Sequence, residues 1–280
     1  MNALGASKAP SFLKNPFAWV RPLIKHRRLI TQMTQREIVS KYKGSMFGAL
    51  WILITPLLML AIYTFVFSVV FNARWGPSSV NRLDFALFIF SGLIFFNFFA
   101  EALGRSPSLI LENISFVKKV VFPLEILPII VILGALFGAV VNFIILLVIY
   151  LLVDGLPPRT VVFFPLVFSP VLLFTLGVSW LLSSLGVFIR DLKPAIGIVL
   201  TMVMFLCPIF YPISAVPEGF RVLMLINPLA IPLEESKKIL FFGELPDFYW
   251  LALSNVASLI ICWIGYAWFM LTRKGFADVV

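Results

Sequence analysis

The sequence predicts an all-α membrane protein with six transmembrane helices, an N-terminal amphipathic interface helix and a re-entrant hairpin between spans five and six. Three observations lead there. Apolar residues make up 61% of the 280-residue chain and charged residues 12%, with a mean hydropathy of +1.05, a composition outside the range of soluble domains. Six apolar runs, 47–71, 85–103, 124–153, 161–189, 195–211 and 250–271, each approach or exceed the length needed for a hydrocarbon core of about 30 Å. The basic residues then divide unevenly across that frame. Lys8, Lys14, Arg21, Lys25, Arg27, Arg28, Arg36, Lys41 and Lys43 precede the first run, and Arg105, Lys118, Lys119, Arg190, Lys193, Arg273 and Lys274 share their side. Only Arg74, Arg82, Arg159, Arg221, Lys237 and Lys238 lie opposite. By the positive-inside rule both termini are expected in the cytoplasm.

Several function classes are disfavoured by the same residues. The formal charge of +9 does not point to nucleic acid, because the cations crowd against span ends where anionic lipid head groups lie. Cys207 and Cys262 sit within spans and offer neither a disulfide framework nor metal spacing. The single histidine, His26, lies outside the spans, so no His-based metal site is expected. No cleavable signal is expected either, since the first apolar run begins at residue 47 and is too long for a signal core. A G-x-x-x-x-G-K-[ST] phosphate loop is absent. Ionisable residues near the spans, Asp84, Glu101, Glu125, Asp154, Arg190 and Asp191, stay toward their ends. An ion-coupled carrier needs such a group near the midplane, and a membrane enzyme needs paired acids or a nucleophile with its base. A pathway powered by another subunit remains.

The N-terminal segment, 1–46, opens with a loosely ordered lead and continues as a helix over 23–43, with Ile24, Leu29, Ile30, Met33, Ile38 and Val39 recurring among charges. It reads as an interface helix; a plain positive-inside anchor is the alternative. The transmembrane domain, 47–280, contains the 105–123 connection, whose Leu109, Ile110, Leu111, Ile114, Phe116 and Val117 are too apolar for a solvated loop. Docking on a partner and packing beneath its own spans both fit. Gly44 with Gly48, and Gly134 with Gly138, form small-xxx-small pairs. Between spans five and six, 212–247 holds two apolar stretches, 220–226 and 231–242, too short to cross alone and broken by Pro228 and Pro232. A hairpin dipping in from the outer side accounts for both.

Residues 36–51 (REIVSKYKGSMFGALW) followed by Pro56-Leu57 resemble the entry of an ABC-2 type polysaccharide export permease. Residues 113–123 (NISFVKKVVFP) are similar to that family's loop after its second span. Arg190-Asp191, Pro208 through Pro212, and Asn227-Pro228-Leu229 match in order and spacing. The nearest members by this resemblance export O-antigen or related surface glycans across the inner membrane of Gram-negative bacteria.

The resemblance implies a permease subunit, not an enzyme, with no cofactor or metal on this chain. A second copy would share the channel, and two copies of an ABC ATPase subunit would hold ATP and Mg. The substrate would be a lipid-linked polysaccharide. It further implies ATPase docking at Arg36, Glu37, Asn113, Phe116, Lys118 and Lys119. Aromatic rings offer stacking faces to a glycan, and Tyr63, Phe67, Trp180 and Tyr211 are the implied channel lining. Arg36, Lys41 and Lys43 would meet a lipid diphosphate at head-group depth, with topology control as the alternative role. Pro212, Asn227, Pro228 and Pro232 would form an outer gate, with a static cap as the alternative. Capsular polysaccharide, teichoic-acid precursors, a small lipid or a drug are other cargoes for the same frame. A glycan-modifying membrane transferase is the rival of a different class.

Overall fold

The computed structural model describes residues 15–66, 82–118, 122–211, 213, 216–220, 224 and 227–279, and helices joined by turns and loops make up these residues, with no strand among them. Two N-terminal helices, the short α1 (Val20–Lys25) and the longer α2 (Arg27–Tyr42), precede α3 (Trp51–Tyr63) and α4 (Arg82–Arg105). After α4 come the short α5 (Leu109–Glu112) and α6 (Ile114–Val117), then α7 (Ile126–Val153), α8 (Phe164–Phe188) and α9 (Leu192–Leu206). The chain closes with α10 (Ala230–Lys237), α11 (Phe248–Thr272) and α12 (Phe276–Val279).

Four helical stretches among the described residues are long and apolar enough to cross a membrane: Ala86–Ser108, Ile126–Val153, Arg159–Phe188 and Phe248–Val279. Two shorter apolar helices, Trp51–Val66 and Leu192–Leu206, stand beside them. The predicted first span reaches residue 71, so its last part lies outside the described residues. The predicted fifth span ran to residue 211, but α9 ends sooner. Pro208 disfavours the helical region for the residue before it, and Cys207 is accordingly extended at φ −85°, ψ 143°.

Helix α4 is the centre of the bundle, with Ile89, Phe95, Phe98 and Ala102 among its fully enclosed side chains. Helix α7 leaves Phe137, Val140, Ile144, Val148 and Leu151 outward, the surface expected of a helix that meets lipid. The closest helix pair is α8 with α11. A Cβ at Gly177 would stand 2.6 Å from the Cys262 backbone, and one at Gly265 would stand 2.0 Å from the Gly177 carbonyl oxygen. Dispersion between touching backbones holds such crossings in lipid, where no hydrophobic drive separates helix from solvent.

Two glycine expectations diverge. Gly134 and Gly138 do sit on α7 at an interface, described below. Gly44 and Gly48 do not form a packing pair: both have positive φ, 89° and 50°, and a Cβ on either would meet nothing within 4 Å. They turn the chain between α2 and α3, using a backbone region that costs glycine little. The single helix predicted over 23–43 is also two, bent at His26 (φ −107°, ψ 19°). The halves follow different partners: α2 packs along α7, while α1 shares a cavity wall with the end of α11.

Candidate functional site: the α2 coupling face and the α9–α10 clasp

Helix α2 meets the bundle through a face that is half polar. Ile30 is buried and Met33 packs on the core. Glu37 and Lys41, one and two turns further on, continue that face. Opposite them on α4 stand Glu101 and Arg105, also four residues apart. Arg105 is ion-paired with Glu37, and Lys41 with Glu101. Two acids and two bases cancel in charge, which lets the group lie against apolar helices without a naked ion.

Glycine makes room for this quartet. A Cβ on Gly134 would lie 3.3 Å from Glu37 Cγ and 3.7 Å from Lys41 Nζ, and one on Gly138 would lie 3.8 Å from Glu101 Oε2. The small-xxx-small pair of α7 therefore serves ion pairs from α2 and α4. Beside it, burial pushes the Tyr42 hydroxyl above its ordinary range, and the Glu101 charge adds to that.

The predicted docking residues separate under this geometry. Glu37 faces inward to Arg105, and Lys41 is engaged with Glu101. Arg36, Val39 and Lys43 remain on the exposed side of α2, with Val39 62% exposed. The proposed diphosphate cluster of Arg36, Lys41 and Lys43 is thus divided between two faces. Ile24, read as part of the apolar stripe, is exposed as well.

In the 105–123 connection some residues pack beneath the chain's own spans and others are exposed. Leu109 and Ile110 are buried beneath the spans. A Cβ on Gly186 of α8 would fall 1.9 Å from the Pro107 carbonyl oxygen, so the Ser106–Ser108 turn is pressed against α8. Ser106 and Ser179 hydroxyls bond at 2.7 Å across that contact. Asn113 breaks the helix and donates its amide to the Leu109 carbonyl at 2.8 Å. Phe116 stacks on Phe122 at 4.3 Å, while Ile114, Ser115 and Lys118 are exposed. Lys119 lies outside the described residues.

The second constellation ties the end of α9 to α10. Asn227 donates its amide to Cys207 Sγ at 3.1 Å, and its Oδ1 accepts from Leu229 N–H at 3.0 Å. Lys237, only 3% exposed, donates to the Pro208 carbonyl at 2.6 Å and pairs with Glu234 at 3.1 Å. Burial pulls the Lys237 ammonium below its ordinary range, and the Glu234 charge partly offsets this. Glu235 is buried too, accepting from Lys238 Nζ and from Asp247 N–H, each at 2.7 Å. Leu233 and Ile209 pack at Gly92 of α4. Gly92 is ten residues beyond Arg82, or about 15 Å along the helix. Pro232 is buried and Pro228 half-buried in this assembly; Pro212 lies outside the described residues.

Of the implied channel rings, Tyr63 lies 6.2 Å from Phe210. Tyr211 beside it donates to the Phe205 carbonyl, which gathers Tyr63 and Tyr211 at one end of α3 and α9. Phe67 lies outside the described residues. Trp180 does not fit the expectation: it is 0% exposed, its indole N–H donates to the Glu125 carbonyl at 3.0 Å, and its ring packs edge-on against Tyr266.

Sequence reasoning missed Glu101, Arg105, Cys207 and Lys237. The acid–base spacing of four at both 37/41 and 101/105 was the available signal for the first two. Nothing local marks the others, whose partners are 20 and 29 positions away.

Residues 28–241 match the ABC-2 type transporter family. The chain is 31% identical over 263 residues to the O-antigen export system permease protein RfbA of Myxococcus xanthus, covering 93% of this chain and 98% of that one. It is 27% identical over 256 residues to the protein of the same name from Klebsiella pneumoniae, covering 90% and 95%. The family match spans the α2–α4 ion pairs and the clasp residues from Cys207 to Lys238, and the chain belongs to the ABC-2 type transporter family.

Proposed function

We propose that this chain is the membrane permease subunit of an ATP-driven exporter that moves O-antigen polysaccharide, linked to lipid, across the inner membrane. The observation that carries this reading is the near full-length similarity to a relative named as an O-antigen export permease. The work would be divided. A separate ABC ATPase supplies energy, and this chain supplies the path.

The six-span frame with both termini in the cytoplasm is part of the reading. Two features support a paired assembly with a second copy. Helices α3 and α9 bury no residue within the chain, and Leu53, Leu57, Leu58, Ile198, Met202 and Phe205 are exposed along them. A joint channel edged by Tyr63 and Tyr211 would use those helices. The exposed side of α2 with Arg36, Val39 and Lys43, together with Ile114, Phe116 and Lys118, would receive the ATPase. Movement there would reach α4 through the Glu37–Arg105 and Lys41–Glu101 pairs. The α10 region would be the re-entrant gate, a role supported by the depth at which Leu233 meets α4.

Deleting and restoring this gene, while locating lipid-linked polymer on either side of the inner membrane, tests the proposal. Intact polymer retained inside and released on restoration is expected. Normal surface glycan after deletion would overturn it, and absent or altered polymer would indicate an enzyme.

A further inference from the structure

A cavity of about 530 Å³ opens between α1 and the end of α11, apart from the two constellations above. That size lies within the range of small-ligand sites, about 300–1,000 Å³. Its walls bring Arg21, Lys25 and His26 from the N-terminal segment to Arg273, which directly follows α11, with Tyr266, Met270 and Glu125 among the other lining residues. Arg21 and Lys25 are four residues apart and so share one face of their turn.

The single carboxylate does not neutralise the cavity. Glu125 is 8% exposed, and its Oε2 accepts from Arg273 Nη1 at 2.9 Å. That bond orients the guanidinium, which has five N–H donors in all. Three permanent cations face one anion. Beside these charges, Tyr266 and Met270 give an amphipathic wall along α11. On the outside of the same helix end, Trp268 and Leu271 are exposed, at 43% and 53%. The cavity therefore opens at the level where an apolar helix ends in charge. Other bases at helix ends, such as Arg190 and Lys274, are exposed and do not line it.

We infer that this cavity binds the phosphate of an anionic lipid head group. Arg21, Lys25 and Arg273 hold the phosphate oxygens by charge-assisted hydrogen bonds, while the glycerol portion lies toward Tyr266 and Met270. Basic pockets at helix ends on a membrane face recognise such head groups. A lipid held in the leaflet at that level also has a local concentration that free phosphate lacks. Through Glu125, which adjoins α7, and Arg273, which adjoins α11, the bound lipid would brace the start of one long helix against the end of another. The inference holds whichever polymer is exported.

The test uses the full chain purified in detergent and titrated separately with phosphatidylglycerol, phosphatidylcholine and inorganic phosphate, with retained lipid counted by native mass spectrometry and stability followed by melting. Phosphatidylglycerol should be retained and should raise the melting midpoint; phosphatidylcholine should do neither. Arg21→Gln/Lys25→Gln should weaken phosphatidylglycerol binding about thirty-fold, from roughly 1 kcal/mol per basic residue at an anionic surface. The charge-matched Arg190→Gln/Lys274→Gln should leave it unchanged. Arg21 and Lys25 are both exposed, so their loss leaves no buried group unpaired, and Lys25→Gln alone supplies a milder version. Equal binding in the cavity variant, equal weakening in both double variants, or stabilisation by phosphate alone that lipid does not exceed would each overturn the assignment.

Discussion

Glu37 on α2 is ion-paired with Arg105 on the last turn of α4, across 68 positions of sequence. Their i+4 and i−4 neighbours, Lys41 and Glu101, form a second pair, so two helices are joined by a double ionic contact seated on the glycines of α7. The arrangement makes α2 part of the bundle and not merely a charged leader.

Removing both partners should cost less than the sum of removing each alone. Glu37→Gln and Arg105→Gln should each lower stability by about 1–2 kcal/mol, between the limits for exposed and buried charged hydrogen bonds. The double variant should lose clearly less than the two combined, because no lone charge is left behind. Melting of the purified protein in detergent measures the coupling; additive losses would show that the pair contributes nothing.

The backbone contact between Gly177 and Gly265 gives a sharper expectation. Gly265→Ala places a Cβ 2.0 Å from the Gly177 carbonyl oxygen, which α8 and α11 can accept only by moving apart. A loss of about 3 kcal/mol or more is expected, at the upper end for overpacking. Gly197→Ala, where nothing lies within 4 Å, should be neutral or stabilising by up to about 1 kcal/mol. Comparing the two melting midpoints separates steric from intrinsic effects.

Trp180 supplies a test between core and channel roles. Trp180→Phe keeps the apolar ring but leaves the Glu125 carbonyl without its indole donor. Stability should fall by about 1–3 kcal/mol, the penalty for a buried group left unsatisfied. Export per folded molecule should be unchanged. A change in the length or identity of exported polymer, with unaltered stability, would return Trp180 to the channel.

The α9–α10 clasp predicts leakage. Asn227→Ala removes the bonds to Cys207 and to Leu229 N–H together, and Asn227→Ala/Pro228→Ala also frees the following turn. If α10 closes a path, proteoliposomes carrying either variant should pass small ions down an imposed potential, driven at about 2.3 kcal/mol per charge per 100 mV. Tight vesicles with correctly inserted protein would identify α10 as a static cap.

Apolar run length and the placement of Lys and Arg were enough to identify a helical membrane protein and to locate its long helices within a few residues, because lipid permits no other fate for such runs than internally bonded helix. The motifs at 36–51 and 113–123 pointed to the family for a different reason: they are local strings that survive without knowledge of contacts. Which residues act together was not legible in this way. Glu37 and Lys41 carried the same local signature as any solvated helical charges, and only the approach of Glu101, Arg105 and Gly134 turns them inward. Trp180 showed the aromatic character of a channel ring, yet the packing of α7 and α11 encloses it. The end of α9 falls between these cases: Pro208 marks it locally, while the bond from Lys237 that secures it comes from 29 positions away. Hydrophobicity and backbone restriction act within a few residues and can be read in order along the chain. Ion pairing, close backbone contact and burial act through space, so the tertiary structure alone decides them.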